Sequence, residues 1–252
     1  MRNKRPPIFI LGMHRSGTSC LTGSLQASGL YLGKASETNK NNRKGDRENK
    51  EIWRLNERVL NLNGGAWHSP VESCVWNDEA LEEAKKIISS YEKHSIWGVK
   101  DPRMLFTLDG WLSVLDEVSY VGTFRNPKSV VKSLMKRNSD IGGEEYWLDL
   151  WVKYNRALLK HHARGPFPII DFDLSDTEYT SCLKRLVVRL GLGKNAGLKG
   201  YLVNSLRRVV SQKNTEDFFD PALRSNVDCT QSDTPDDALK IYRKLKSISF
   251  KG

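Results

Sequence analysis

The chain has 252 residues, 38% of them apolar and 28% charged, with a formal net charge of +10. That is length enough for one α/β core, and the charge suits a phosphorylated or otherwise acidic ligand without selecting one. Cys20, Cys74, Cys182 and Cys229 have neither the paired spacing of a zinc site nor the density of a disulfide framework, so no metal is expected and a reducing compartment, the cytoplasm, is the default. The apolar run near the N-terminus is broken at Arg15, too soon for a signal peptide or a membrane span.

Apolar runs predict strands near 7–12, 95–100, 118–124 and 167–172. Amphipathic patterns predict helices near 18–29, 48–62, 78–92, 127–138, 143–162, 177–190 and 236–247. This βα alternation implies a three-layer α/β fold, a central parallel sheet flanked by helices. No Pro/Ser/Gly-rich linker divides the chain, so a single domain is expected over 1–252, its core over about 7–225 and a polar tail over 226–252. Residues 31–50, YLGKASETNKNNRKGDRENK, lack a hydrophobic period and read as a mobile loop over the site. Trp147, Trp151 and Tyr154 fall at near-helical spacing and read as core.

The densest signal is IFILGMHRSGTSCLTGSL, residues 8–25, in which an apolar strand enters a glycine-bounded turn and then a helix. Gly12 and Gly17 bracket four residues, as in a Walker A loop, so that backbone N–H groups and the helix N-terminus converge on an anion. A nucleoside-triphosphate loop needs Lys and then Ser or Thr after the second glycine, and here Thr18 and Ser19 stand there. The cation comes earlier, at Arg15, which faces the anion but leaves no lysine to bridge β- and γ-phosphates. The pattern points to a phosphate donor other than ATP with magnesium.

The residues GMHRSGTSCL resemble the 5′-phosphosulfate loop of sulfotransferases that use 3′-phosphoadenosine 5′-phosphosulfate (PAPS). Cytosolic members usually carry Lys where this chain has Arg15, whereas Golgi, tyrosylprotein and many bacterial members carry Arg. The resemblance implies a P-loop-like fold, sulfuryl transfer to a hydroxyl or amine without a metal, and a donor site containing His14, Arg15, Ser16, Gly17, Thr18 and Ser19. A second segment, VSYVGTFRNPKSVVKSL at 118–134, is similar to the family's 3′-phosphate motif. That likeness assigns Arg125, a bidentate phosphate fork, and Ser133, a hydroxyl on the following helix, to the ribose 3′-phosphate.

Two further stretches fit the family, FPIIDFDLSDTEYTSCLKRLVVRLGL at 167–192 and FFDPALRS at 218–225. Asp171 could end a Walker B strand holding magnesium, but with no Lys-Ser/Thr pair in the loop a structural role is preferred. Arg224 either closes over the nucleotide or sits in solvent.

For the base that takes the acceptor proton, NNRKGDREN at 41–49 resembles the pattern that follows the loop in bacterial sulfotransferases and puts Glu48 at its carboxylate position. Its rival is Asp101 in WGVKDPRML, 97–105, at a strand end where α/β sites cluster. Glu48 is preferred, with Lys100 and Arg103 as acceptor or phosphate contacts; the catalytic His that cytosolic members place near that strand has no counterpart. The expected activity is PAPS-dependent sulfuryl transfer to a carbohydrate, lipid, peptide or small natural product. The alternatives are an ATP-dependent small-molecule kinase with a degenerate loop and a non-catalytic nucleotide or polyanion binder. Nucleic acid is not an expected partner.

Overall fold

Alternation within IFIL sends Ile8 and Ile10 to one face of a sheet and Phe9 and Leu11 to the other, and all four are buried. A strand apolar on both sides belongs in the middle of a covered parallel sheet. The computed structural model, which describes residues 5–36, 45–193 and 235–251, places it there. Strand β1 (Ile8–Leu11) pairs in parallel with β2 (Gly98–Lys100) on one side and β3 (Ser119–Phe124) on the other. Outside β3 lies β4 (Ile169–Asp171), so the order is β2-β1-β3-β4 and every described pairing is parallel.

Helix α1 (Thr18–Ala27) and α7 (Asp176–Arg189) cover the face of Ile8 and Ile10. On the opposite face pack α2 (Lys50–Leu62), α3 (Asp78–Tyr91), α4 (Met104–Leu112), α5 (Pro127–Arg137) and α6 (Glu144–Arg164). The C-terminal segment adds α8 (Asp236–Ile248) to that layer, burying Ala238, Ile241 and Leu245. No described helix is long and apolar enough to cross a membrane. Helix starts carry the expected chemistry: Asn49, Asn77 and Asn126 each accept a backbone N–H as N-caps, and Ser175 with Glu178 forms a capping box.

Three differences from the sequence reading have physical causes. Helix α4 was not expected, because MLFTLDGWL is apolar nearly all round and shows no amphipathic stripe for periodicity to detect. Strand β2 is three residues, not the six of 95–100. The ends of the 31–50 segment, expected as a mobile loop, are fixed: Ser36 N–H donates to Glu48 O (2.9 Å) and Arg47 N–H to Ser36 O (3.1 Å). The Asn49 amide also donates to the Tyr91 hydroxyl (2.7 Å). The motif 218–225, Arg224 and Cys229 lie outside the described residues.

Trp147, Trp151 and Tyr154 are buried core residues, yet the polar tips of the last two reach toward functional segments. Trp151 Nε1 donates to the carbonyl of Arg125 (3.0 Å), and the Tyr154 hydroxyl donates to the carbonyl of Trp67 (2.6 Å).

Candidate active site

Parallel α/β sheets bind ligands beyond the carboxyl ends of their strands, and here the ends of β1, β2, β3 and β4 carry Gly12–Gly17, Lys100 and Asp101, Arg125, and Asp171. The turn after β1 is dictated by space. A Cβ on Gly12, at φ +152°, would come within 2.5 Å of the Thr123 carbonyl oxygen, and one on Gly17, at φ +82°, would enter the ring of Phe172. Only glycine fits either position. Arg15 itself is left-handed, φ 65°, and the Thr123 hydroxyl donates to Ser16 O (3.1 Å), tying the turn to β3. Helix α1 starts at Gly17 with no capping side chain and no acidic residue in its first turn, which leaves its positive end for an anion.

Above this turn opens a cavity of about 600 Å³ lined by His14, Arg15, Thr18, Ser19, Glu48 and Lys100 among others. Arg15 Nε donates to the Ser133 hydroxyl at 2.8 Å, joining the turn to α5 across 118 residues of sequence. Burial lowers the pKa of the Arg15 guanidinium, and the nearby charges of Arg137 and Arg125 act in the same direction. Three guanidinium groups therefore lie close enough to repel one another beside the contact of Arg15 with Ser133, an arrangement that favours a polyanion. Arg125 is buried, 3.6 Å from Asp173 Oδ1, with its guanidinium over the Phe172 ring at 5.4 Å.

His14 stacks edge-on against Trp67 and Tyr154 (centroids 5.0 and 5.7 Å), and its Nε2 is buried with no hydrogen-bond partner. Burial first, then the charges of Arg103, Lys100, Arg137 and Arg15, push its pKa well below 6.5, so the imidazole is neutral. The Ser16 hydroxyl is likewise buried without a partner.

The two carboxylates weighed as bases occupy different surroundings. Glu48 lines the cavity and accepts from Lys100 Nζ at 2.6 Å; the Lys100 side chain is 1% exposed and that of Glu48 17%. Burial raises the Glu48 pKa against the opposing pull of Lys100, and the charge of Asp101 raises it further. Asp101 is fully buried and is not part of the cavity wall. Its Oδ2 accepts from the Asn56 amide (2.9 Å), and its Oδ1 accepts from the backbone N–H (3.1 Å) and Nη1 (3.0 Å) of Arg103. Asn56 is itself held by Thr107 Oγ1 (2.9 Å) and Trp111 Nε1 (2.8 Å), both donating to its carbonyl oxygen. Arg103 Nε also pairs with Glu57. Despite the burial that opposes its charge, Asp101 and Glu57 push the Arg103 pKa up.

Asp171 is buried and accepts from Lys246 Nζ of α8 at 2.6 Å, a tether between sheet and helix. Among the described residues no group of acidic, His and Cys side chains is arranged to hold a metal ion. The sequence reading missed Trp53, Arg54, Trp67 and Arg137, all on the cavity wall. Arg137 follows Ser133 by one helical turn, and Arg54 follows Lys50 likewise, so spacing alone could have found both.

The sequence profile of the sulfotransferase family matches residues 6–174. The chain belongs to the sulfotransferase family. No curated protein matches it. Among solved structures, the sulfotransferase domain from the curacin biosynthetic pathway superposes with a TM-score of 0.59 at 14% identity, over 97% of this chain and 99% of that one. Sulfotransferase STF1 from Mycobacterium tuberculosis H37Rv gives 0.52 at 12% identity, over 97% of this chain and 77% of that one. At such identities the likeness is one of fold. The sulfotransferase is therefore a group-transfer enzyme on a P-loop-like α/β scaffold, and the cavity at the carboxyl edge of its sheet is its candidate active site.

Proposed function

We propose that this sulfotransferase moves a sulfuryl group from PAPS to a hydroxyl or amine, with Glu48 as the base. The observation that carries this reading is the contact between Arg15 and Ser133 (2.8 Å), which joins the turn after β1 to α5 beside the cavity. The residues present suit a doubly phosphorylated nucleotide. The α1 N-terminus and Arg15 would hold the 5′ end, while Ser133 and Arg125 would hold the 3′-phosphate. Bound there, the donor supplies an electrophilic sulfur.

The protein's own part is electrostatic and acid–base. Arg15 balances the negative charge that grows on the departing phosphate as its bond to sulfur breaks. Glu48 accepts the acceptor's proton as the new O–S or N–S bond forms. Its raised pKa makes it a stronger base, and Lys100 fixes its orientation. Neutral His14 can donate to, or accept from, a ligand through its uncommitted Nε2 without adding charge. The scattered spacing of Cys20, Cys74, Cys182 and Cys229 supports a reducing, cytoplasmic setting.

Thermal-shift titration with 3′-phosphoadenosine 5′-phosphate (PAP), AMP, and ATP with magnesium tests the donor. Stabilisation by PAP well above that by AMP is expected, and Arg125→Ala should cost about 2–4 kcal/mol of PAP binding while hardly touching AMP. Equal weakening of both nucleotides would remove the 3′-phosphate role, and preference for ATP with magnesium would favour a kinase.

A further inference from the structure

Helix α2 carries two stripes. Ile52, Leu55, Asn56, Val59 and Leu60 are buried, while Lys50, Trp53, Arg54 and Glu57, at i, i+3, i+4 and i+7, share another face. Of these, Lys50, Trp53 and Arg54 line the cavity, starting two residues after Glu48. The Trp53 ring is left 37% exposed, with the Arg103 guanidinium 5.5 Å from its centroid.

The charges around the cavity divide into two groups. Lys100 and Arg103 are neutralised by Glu48, Asp101 and Glu57. Lys50, Arg54 and Arg137 are exposed, and none of them has a carboxylate within ion-pair reach among the described residues. Arg137 stands on the helix of Ser133, the donor wall. Lys50 and Arg54 stand on the wall of Glu48, where the acceptor must present its hydroxyl.

Ligand pockets are ordinarily walled by apolar and aromatic side chains. This one instead holds six cations, Arg15, Lys50, Arg54, Lys100, Arg103 and Arg137, against two carboxylates, Asp46 and Glu48, beside the apolar side chains of Trp53, Trp67, Pro102, Leu134 and Ile141. An indole face rimmed by two unpaired cations matches a polar ring that carries fixed negative charge.

We infer that the acceptor is an acidic saccharide, its ring seated on Trp53 and its carboxylate or sulfate held by Lys50 and Arg54. This rests on the assignment of Glu48 and the PAPS site above. Glu48 then meets a sugar hydroxyl beside the carboxylate or sulfate that Arg54 holds, so the start of α2 and the residues just before it set both the register of the chain and the position sulfated.

Calorimetry on the full chain at low salt tests it, with PAP binding read first. A protein that does not bind PAP overturns the donor reading and this inference with it. With PAP saturating, a hyaluronan tetrasaccharide is expected to bind at least about tenfold more tightly than uncharged chitotetraose, since one to two ion pairs separate them. Arg54→Ala should weaken the hyaluronan fragment about five- to twentyfold and leave PAP unaffected. Trp53→Ala should weaken both saccharides. Lys184→Ala, an exposed lysine on α7 away from the cavity, should change neither. Equal affinity for the two saccharides, tighter binding of 4-hydroxybenzoate than of hyaluronan, or equal losses in Arg54→Ala and Lys184→Ala would each overturn the inference while leaving the donor site standing.

Discussion

The two walls of the cavity hold their shape by different means. The donor wall is a backbone structure: Gly12 and Gly17 fit because nothing larger can, and the turn is pinned to Thr123 and Phe172. The acceptor wall is a side-chain structure, in which Lys100 and Arg103 are positioned by carboxylates from α2, the residue just after β2 and the segment before α2. Steric walls tolerate almost no change but need no partner. Electrostatic walls can be retuned one charge at a time, at the risk of stranding a buried ion. On the proposed assignment the donor side is thus fixed by shape, whereas the acceptor side is free to vary.

The largest test of this division is Glu48→Gln, which should cut turnover by roughly 10²–10⁴ while PAP affinity hardly moves. An active, folded Glu48→Gln enzyme would shift the base elsewhere. Asp101→Asn, one residue beyond the lysine that holds Glu48, should act on stability instead. Weakening its buried pair with Arg103 should lower the unfolding free energy by about 3–5 kcal/mol in urea titrations. A stable but dead Asp101→Asn enzyme would reverse the two assignments.

On the donor wall, Arg15→Ala should depress turnover by roughly 10²–10³, with a smaller loss of PAP affinity measured calorimetrically. Gly12→Ala should cost about 1–3 kcal/mol of stability through its clash with the Thr123 carbonyl. If Gly12→Ala were neutral in denaturant melts, the donor wall would not be steric at all. The smallest effect is on the pH profile. Glu48 accepts a proton only when ionised, so kcat/KM should rise with pH through a limb whose midpoint lies above the ordinary 4.5. That limb should vanish in Glu48→Gln and persist in His14→Asn, because the imidazole is already neutral there.

The donor wall was legible in the sequence because its causes are local. Two glycines five positions apart between a strand and a helix, and an Arg and a Ser across an Asn-Pro turn, are patterns that one segment contains whole. The acceptor wall was legible only in part. Glu48 and Lys100 could be named as candidates, but nothing in the sequence joins Asn56 to Asp101, 45 residues away, or marks that Thr107 and Trp111 orient Asn56. Helix α4, which supplies those two donors, has no amphipathic period. Asp101 at a strand end therefore looked like a base, when its oxygens are already committed to Asn56 and Arg103.

Among the described residues strand β4 pairs only with β3, and the outward carbonyl of Ile169 is met by the Phe250 N–H at 2.8 Å, just past α8. The C-terminal segment thus shields an otherwise open sheet border that could recruit a strand from another molecule. Expression of a chain stopped before residue 235 should yield aggregates, although every residue lining the candidate site's cavity would still be present.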